Sequence, residues 1–170
     1  EGEDIRHAVL DPRDGKTIWA AVTSAHFGPV VAKGKALGTS WATPKEGPRF
    51  SKESGLSVTR VWQVQPDGDD GLLAGVEPAG LFRSEDGSSW SSVDALNYWP
   101  GRDKWNAGGG GLCLHTILPY PKDPKRMLVG ISAAGIFATN DRGRTWRMYD
   151  AGIRNYGKQD VYDREDESTC

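Results

Sequence analysis

The chain has 170 residues, a formal charge of −2 at neutral pH, 22 glycines and two cysteines. Charge this close to neutral gives no footprint for nucleic acid or an anionic membrane, and no apolar run reaches the about 20 residues of a membrane span. Two lone cysteines make neither a disulfide framework nor a zinc spacing, and glycine at roughly twice its usual share suits a turn-rich all-β chain.

Read from the N-terminus, the first unit opens with an apolar stretch at 5–10. A turn, Asp11-Pro12-Arg13-Asp14-Gly15, follows, and then a short run of mostly small and branched residues from Ile18 to Val22. Proline fixes φ and Asp and Gly tolerate tight turns, so the pattern predicts a hairpin. A third strand passes through Gly28 and carries Val30 and Val31, before a turn that ends in Gly38-Thr39-Ser40-Trp41. The second unit repeats the order: a stretch at 58–64, Pro66, the strand Leu72 to Val76, Gly80, Leu81-Phe82, and Gly87-Ser88-Ser89-Trp90. The third repeats it again: 112–118, Pro121, Met127 to Ile131, Gly135, Ile136-Phe137, and Gly143-Arg144-Thr145-Trp146. Each second strand begins six residues after its proline.

A repeat of roughly fifty residues in which each unit is one small antiparallel sheet predicts an array whose sheets stack to bury their faces. The expected units are 4–57, 58–111 and 112–168, all within one domain spanning 1–170. Closed propellers take about 4–8 such blades. The reading is therefore a three-blade stretch of a larger propeller, with closure supplied by remaining blades or by a homo-oligomer.

The turn Thr139-Asn140-Asp141-Arg142-Gly143-Arg144-Thr145-Trp146 carries a polar signature. The aspartate accepts from turn amides, glycine takes positive φ, and tryptophan packs between sheets. Ser84-Glu85-Asp86-Gly87-Ser88-Ser89-Trp90 is one residue shorter, and the first unit lacks the aspartate. These motifs resemble the Asp box, or bacterial neuraminidase repeat. The stretch from Arg60 through Trp146 is similar to bacterial sialidase-like or glycosyl-hydrolase-like repeat proteins, and more distantly to sortilin, xyloglucanase-like and photosystem-assembly propellers. The resemblance implies an all-β propeller in which Asp86, Gly87, Trp90, Asp141, Gly143 and Trp146 are structural. Function does not follow from fold.

Strand direction alternates in a meander. The boxes and proline turns therefore share one end, and the second-to-third strand turns share the other with the long segments 42–57, 91–111 and 147–169. Ligand sites concentrate on such loops. Three features are expected there. Arg6, Arg60 and His115 each lie six residues before a proline, at the starts of first strands. They can hold an anionic or sugar-acid ligand through charge-assisted bonds, or pair with loop carboxylates. Aligned turn residues Thr23, Glu77 and Ser132, with His26 nearby, offer Glu77 as a general acid or base beside His115. Glycoside hydrolysis needs a second carboxyl about 5–9.5 Å away, and Asp94 and Asp103 carry no motif for that role. Finally, Trp99, Trp105 and Asn106, before the glycines 108–111, form either a sugar or protein platform or a plug between blades. The acidic tail from Gly157 reads as a solvated linker rather than a calcium loop.

The expected function is binding of a glycan or peptide on the loop face. The alternative is a glycoside hydrolase whose complete site needs further blades. No cofactor, metal, nucleic acid or membrane is expected. With no signal peptide visible, the compartment is left between cytoplasm and secretion.

Overall fold

The computed structural model describes residues 4–68 and 71–149. Among the described residues, twelve strands form three four-stranded antiparallel sheets, each in simple meander order. The first sheet is β1 (Asp4–Leu10), β2 (Ile18–Ser24), β3 (Gly28–Lys35) and β4 (Ser40–Ala42). The second is β5 (Arg60–Asp67), β6 (Gly71–Glu77), β7 (Gly80–Ser84) and β8 (Ser91–Ser92), and the third is β9 (Leu114–Pro119), β10 (Met127–Ile131), β11 (Gly135–Thr139) and β12 (Arg147–Met148). A single helical turn, α1 (Asp94–Asn97), lies in the connection between the second and third sheets.

Register makes the sheets superimposable position by position. Ala8 pairs with Ala20 and Ala20 with Ala32. Val64, Ala74 and Phe82 line up in the same way, as do Ile117, Val129 and Phe137. Side chains alternate across a pleated strand, so each sheet has one face toward the preceding unit and one toward the following unit. Trp19, Ala21 and Val31 of the first sheet pack against Leu72, Ala74, Val76 and Phe82 of the second. Leu73 and Leu81, from the opposite face of the second sheet, pack against Met127, Val129, Ile131 and Phe137 of the third. These two apolar seams hold most of the core, with a smaller buried cluster of Ala20, Val22, Val30 and Ala32 on the other face of the first sheet, and the sheets stand as three consecutive blades of a β-propeller.

Polar bonds cross the seams along the inner strands. The Val64 amide donates to His7 Nδ1 at 3.5 Å, and the Ile117 amide donates to Gln63 Oε1 at 2.5 Å. His7 and Gln63 occupy one equivalent position, opposite Ala21 and Gly75 respectively. Burial pushes the His7 imidazole below its ordinary value. At the proline-turn end of the first seam, Arg13 reaches the Gly71 carbonyl at 3.1 Å, and across the second Arg83 reaches the Arg142 carbonyl at 3.1 Å.

The polar turns are small capped structures. Asp86 accepts from the amides of Ser88 and Ser89, at 2.8 and 3.0 Å, and from the Ser88 hydroxyl. Those donors hold its carboxyl below the usual range, the Ser89 amide contributing most. Asp141 accepts from the Thr145 hydroxyl at 2.6 Å and amide at 2.9 Å, which lowers it to about 2. Gly87 and Gly143 sit at φ 79° and 88°, where L side chains are strained. Trp146 is buried, with its Nε1 on the Gly143 carbonyl, whereas Trp90 is half-buried and Trp41 is exposed. The first unit, without the aspartate, makes its turn with Ala36 and Leu37 at positive φ.

Candidate functional site

Each first strand carries a β-bulge at the same place. Pairing skips between Ile5 and His7 in β1, between Val61 and Gln63 in β5, and across the partner of Leu114 in β9. The residues set into these bulges are Arg6, Trp62 and His115. A bulge leaves its extra residue out of the ladder and re-aims its side chain, a device found at barrel rims and next to ligand sites.

This corrects the sequence alignment. Arg6 and His115 are equivalent, but their counterpart in the second unit is Trp62 rather than Arg60. The reason is loop length. Leu10 pairs with Ile18 and Pro119 with Met127, whereas Pro66 itself pairs with Leu72, so the second hairpin loop is two residues shorter. Counting back from Pro66 therefore overshoots by two positions. Arg60 is paired with Glu77, as Asp4 is with Thr23.

The displaced residue still belongs to the site. Trp62 Nε1 donates to Glu77 Oε2 at 3.0 Å, and Arg60 Nη1 bonds to the same oxygen at 3.1 Å. Arg6 lies over the Trp62 ring, 5.3 Å from its centroid, while its Nε donates to Asp4 at 2.8 Å. A cation over a partly exposed indole contributes about 0.5–1 kcal/mol. Arg6, Trp62, Glu77 and Arg60 thus make one cluster across the first seam, on the loop-bearing end. Gly111 closes its far side: a Cβ there would stand 2.6 Å from Glu77 Oε1. The Gly111 carbonyl in turn accepts from Ser132 Oγ at 2.8 Å, tying the glycine segment to the third blade. Trp62 was missed in the sequence because the proline count hid its equivalence to Arg6.

The remaining expected residues are dispersed. His115 is exposed, and its Nδ1 pairs with Thr116 Oγ1 at 2.8 Å; no hydrogen bond joins it to Glu77 among the described residues. His26 lies in the β2–β3 turn, with its ring edge-on to Phe27 at 4.6 Å. Asn106 is exposed and donates to the Lys104 carbonyl. Asp94 begins α1, and Asp103 sits in a short 3-10 turn at Arg102–Lys104. The tail residues from Gly157 lie outside the described residues.

Trp99 and Trp105 resolve toward the plug. Trp105 is only 6% exposed. Both rings meet Phe137, at 5.3 and 5.5 Å between centroids, and the Arg102 guanidinium lies over the Trp105 ring at 5.2 Å. Trp105 therefore fills the second seam instead of offering a free ring. Asn97 also went unremarked in the sequence: fully buried, it accepts from the Leu81 amide and donates to the Leu81 carbonyl and Ser92 Oγ. It extends the ladder of β7 and fixes where the long connection departs.

No protein-family model and no curated protein matches the chain. Among solved structures it is similar to the GH74 xyloglucanase from Xanthomonas campestris, at 16% identity and a TM-score of 0.56. The likeness covers 84% of this chain and 21% of that enzyme, so this chain spans about a fifth of the enzyme's length. At such identity the likeness concerns the fold, which is that of a propeller.

Proposed function

We propose that this chain is an Asp-box propeller module that binds a glycan on its loop-bearing rim, with Trp62 as the stacking surface and Arg6, Arg60 and Glu77 as its polar frame. The observation that carries the reading is the placement of Trp62. A bulge takes the ring out of the ladder, and Glu77 fixes its nitrogen. Arg6 lies over this half-buried ring, and the ring surface that stays exposed offers apolar area at small entropic cost beside carboxylate and guanidinium groups that suit sugar hydroxyls. The bonds that Asp86 and Asp141 accept from their own turn amides support the Asp-box part of the reading, and the similar solved structure is named a xyloglucanase.

Calorimetric titration of the purified chain with xyloglucan oligosaccharides and with sialyllactose tests this. At least one sugar binds, and Trp62→Ala weakens it by at least about tenfold, equivalent to about 1.4 kcal/mol. Silence toward both sugars, or an unchanged affinity in Trp62→Ala, defeats the reading. The hydrolytic alternative asks more, namely sugar release that Glu77→Gln abolishes.

A further inference from the structure

We infer that the outer face of the third sheet, formed by Leu118, Leu128 and Ile136, is a docking surface for a further four-stranded blade of the same repeat type, supplied by polypeptide other than residues 4–149. Register equates Leu128 with Trp19 and Leu73, and Ile136 with Val31 and Leu81. In the first two sheets those four residues are 0–4% exposed, because the next sheet covers them. In the third, Leu118, Leu128 and Ile136 are 55%, 40% and 36% exposed. A groove of about 500 Å³ lies on this side of the sheet, lined by Leu118 and Leu128 and bordered by Tyr120 and Tyr149.

The polar half of the seam is present as well. Thr116 stands where His7 and Gln63 stand in the other units, opposite Gly130. Both of those side chains accept an amide from the next blade's inner strand. Thr116 Oγ1, already bonded to His115 Nδ1, keeps lone-pair capacity to accept the equivalent amide. Glycine spacing agrees: a Cβ on Gly75 would strike Leu114 of the next blade at 2.4 Å, whereas on the equivalent Gly130 it would meet its own sheet's Thr116 at 3.2 Å. Two occupied seams thus define the chemistry of the third occupant. It is a twisted antiparallel sheet presenting branched and aromatic side chains, like the face of Leu72, Ala74, Val76 and Phe82.

The test appends a second copy of residues 93–149 after the full chain, since that segment already covers the equivalent face of the second blade. Leu128→Asp is then placed in the original third sheet of both chains and thermal unfolding is followed by near-ultraviolet dichroism. In the unextended chain the substitution shifts Tm by no more than about 2 °C. In the extended chain the added tryptophans are ordered, and the same substitution lowers Tm by roughly 5 °C or more. An added unit that stays unstructured, or equal shifts in both chains, overturns the proposal. Light scattering supplies the competing outcome: a stable dimer of the unextended chain that Leu128→Asp dissociates would assign the face to a second copy instead.

Discussion

His7 and Gln63 do the same work at one equivalent position with different chemistry. The neutral imidazole accepts an amide across the first seam, and burial favours that neutral form. A histidine whose folded value is lowered contributes fully above its unfolded value, near 6.5, and the contribution is lost as pH falls through the folded value. His7→Gln copies the second seam into the first and removes this titration. The Tm difference between the variant and the wild type is therefore expected to grow as pH is lowered from 8 to 5. Parallel Tm curves across that range would show that His7 does not couple the seam to pH.

At the scale of the element, the close approach of sheets is decided by which positions lack a Cβ. Gly75→Ala forces a methyl against the Leu114 carbonyl and side chain. Overpacking of this kind costs about 1–3 kcal/mol, which urea denaturation will read as a lower midpoint at unchanged slope. Gly130→Ala, whose methyl would meet side-chain atoms of Thr116 at 3.2 Å rather than a backbone carbonyl, is expected to cost less. The strands themselves were legible in the sequence, because short apolar runs between Pro, Gly and Asp clusters have few other solutions. The site was only partly legible. Glu77 and Arg60 were named, but the bulge that presents Trp62 arises from pairing between strands, and a skipped pair leaves no mark in one strand's composition. The shorter second hairpin then shifted the count from Pro66. Trp99 and Trp105 read equally well as platform or plug, since an aromatic loop looks the same until Phe137 is known to lie beneath it.

Over the whole molecule, stability is distributed as a sum of blade and seam terms, as in other stacked arrays. Equivalent leucines report this directly. Leu73 is fully buried in the second seam, so Leu73→Ala is expected to cost about 2–5 kcal/mol. Leu128 is its counterpart on the open face, and Leu128→Ala is expected to cost less than about 1 kcal/mol. Chemical denaturation of the two variants side by side measures what a neighbouring sheet adds, with strand position held constant. Comparable losses would mean that the seams contribute little and that each sheet is stable by itself.

The repeated bulge has a further consequence. Because Arg6, Trp62 and His115 stand outside the ladder, replacing any of them leaves every strand pair in register, and the contact between Arg6 and Trp62 is the one cross-seam interaction of theirs described above. One cationic, one aromatic and one imidazole group already share this slot across the three units. If the rim binds as proposed, its recognition can be rewritten one blade at a time while the strand ladders beneath stay the same.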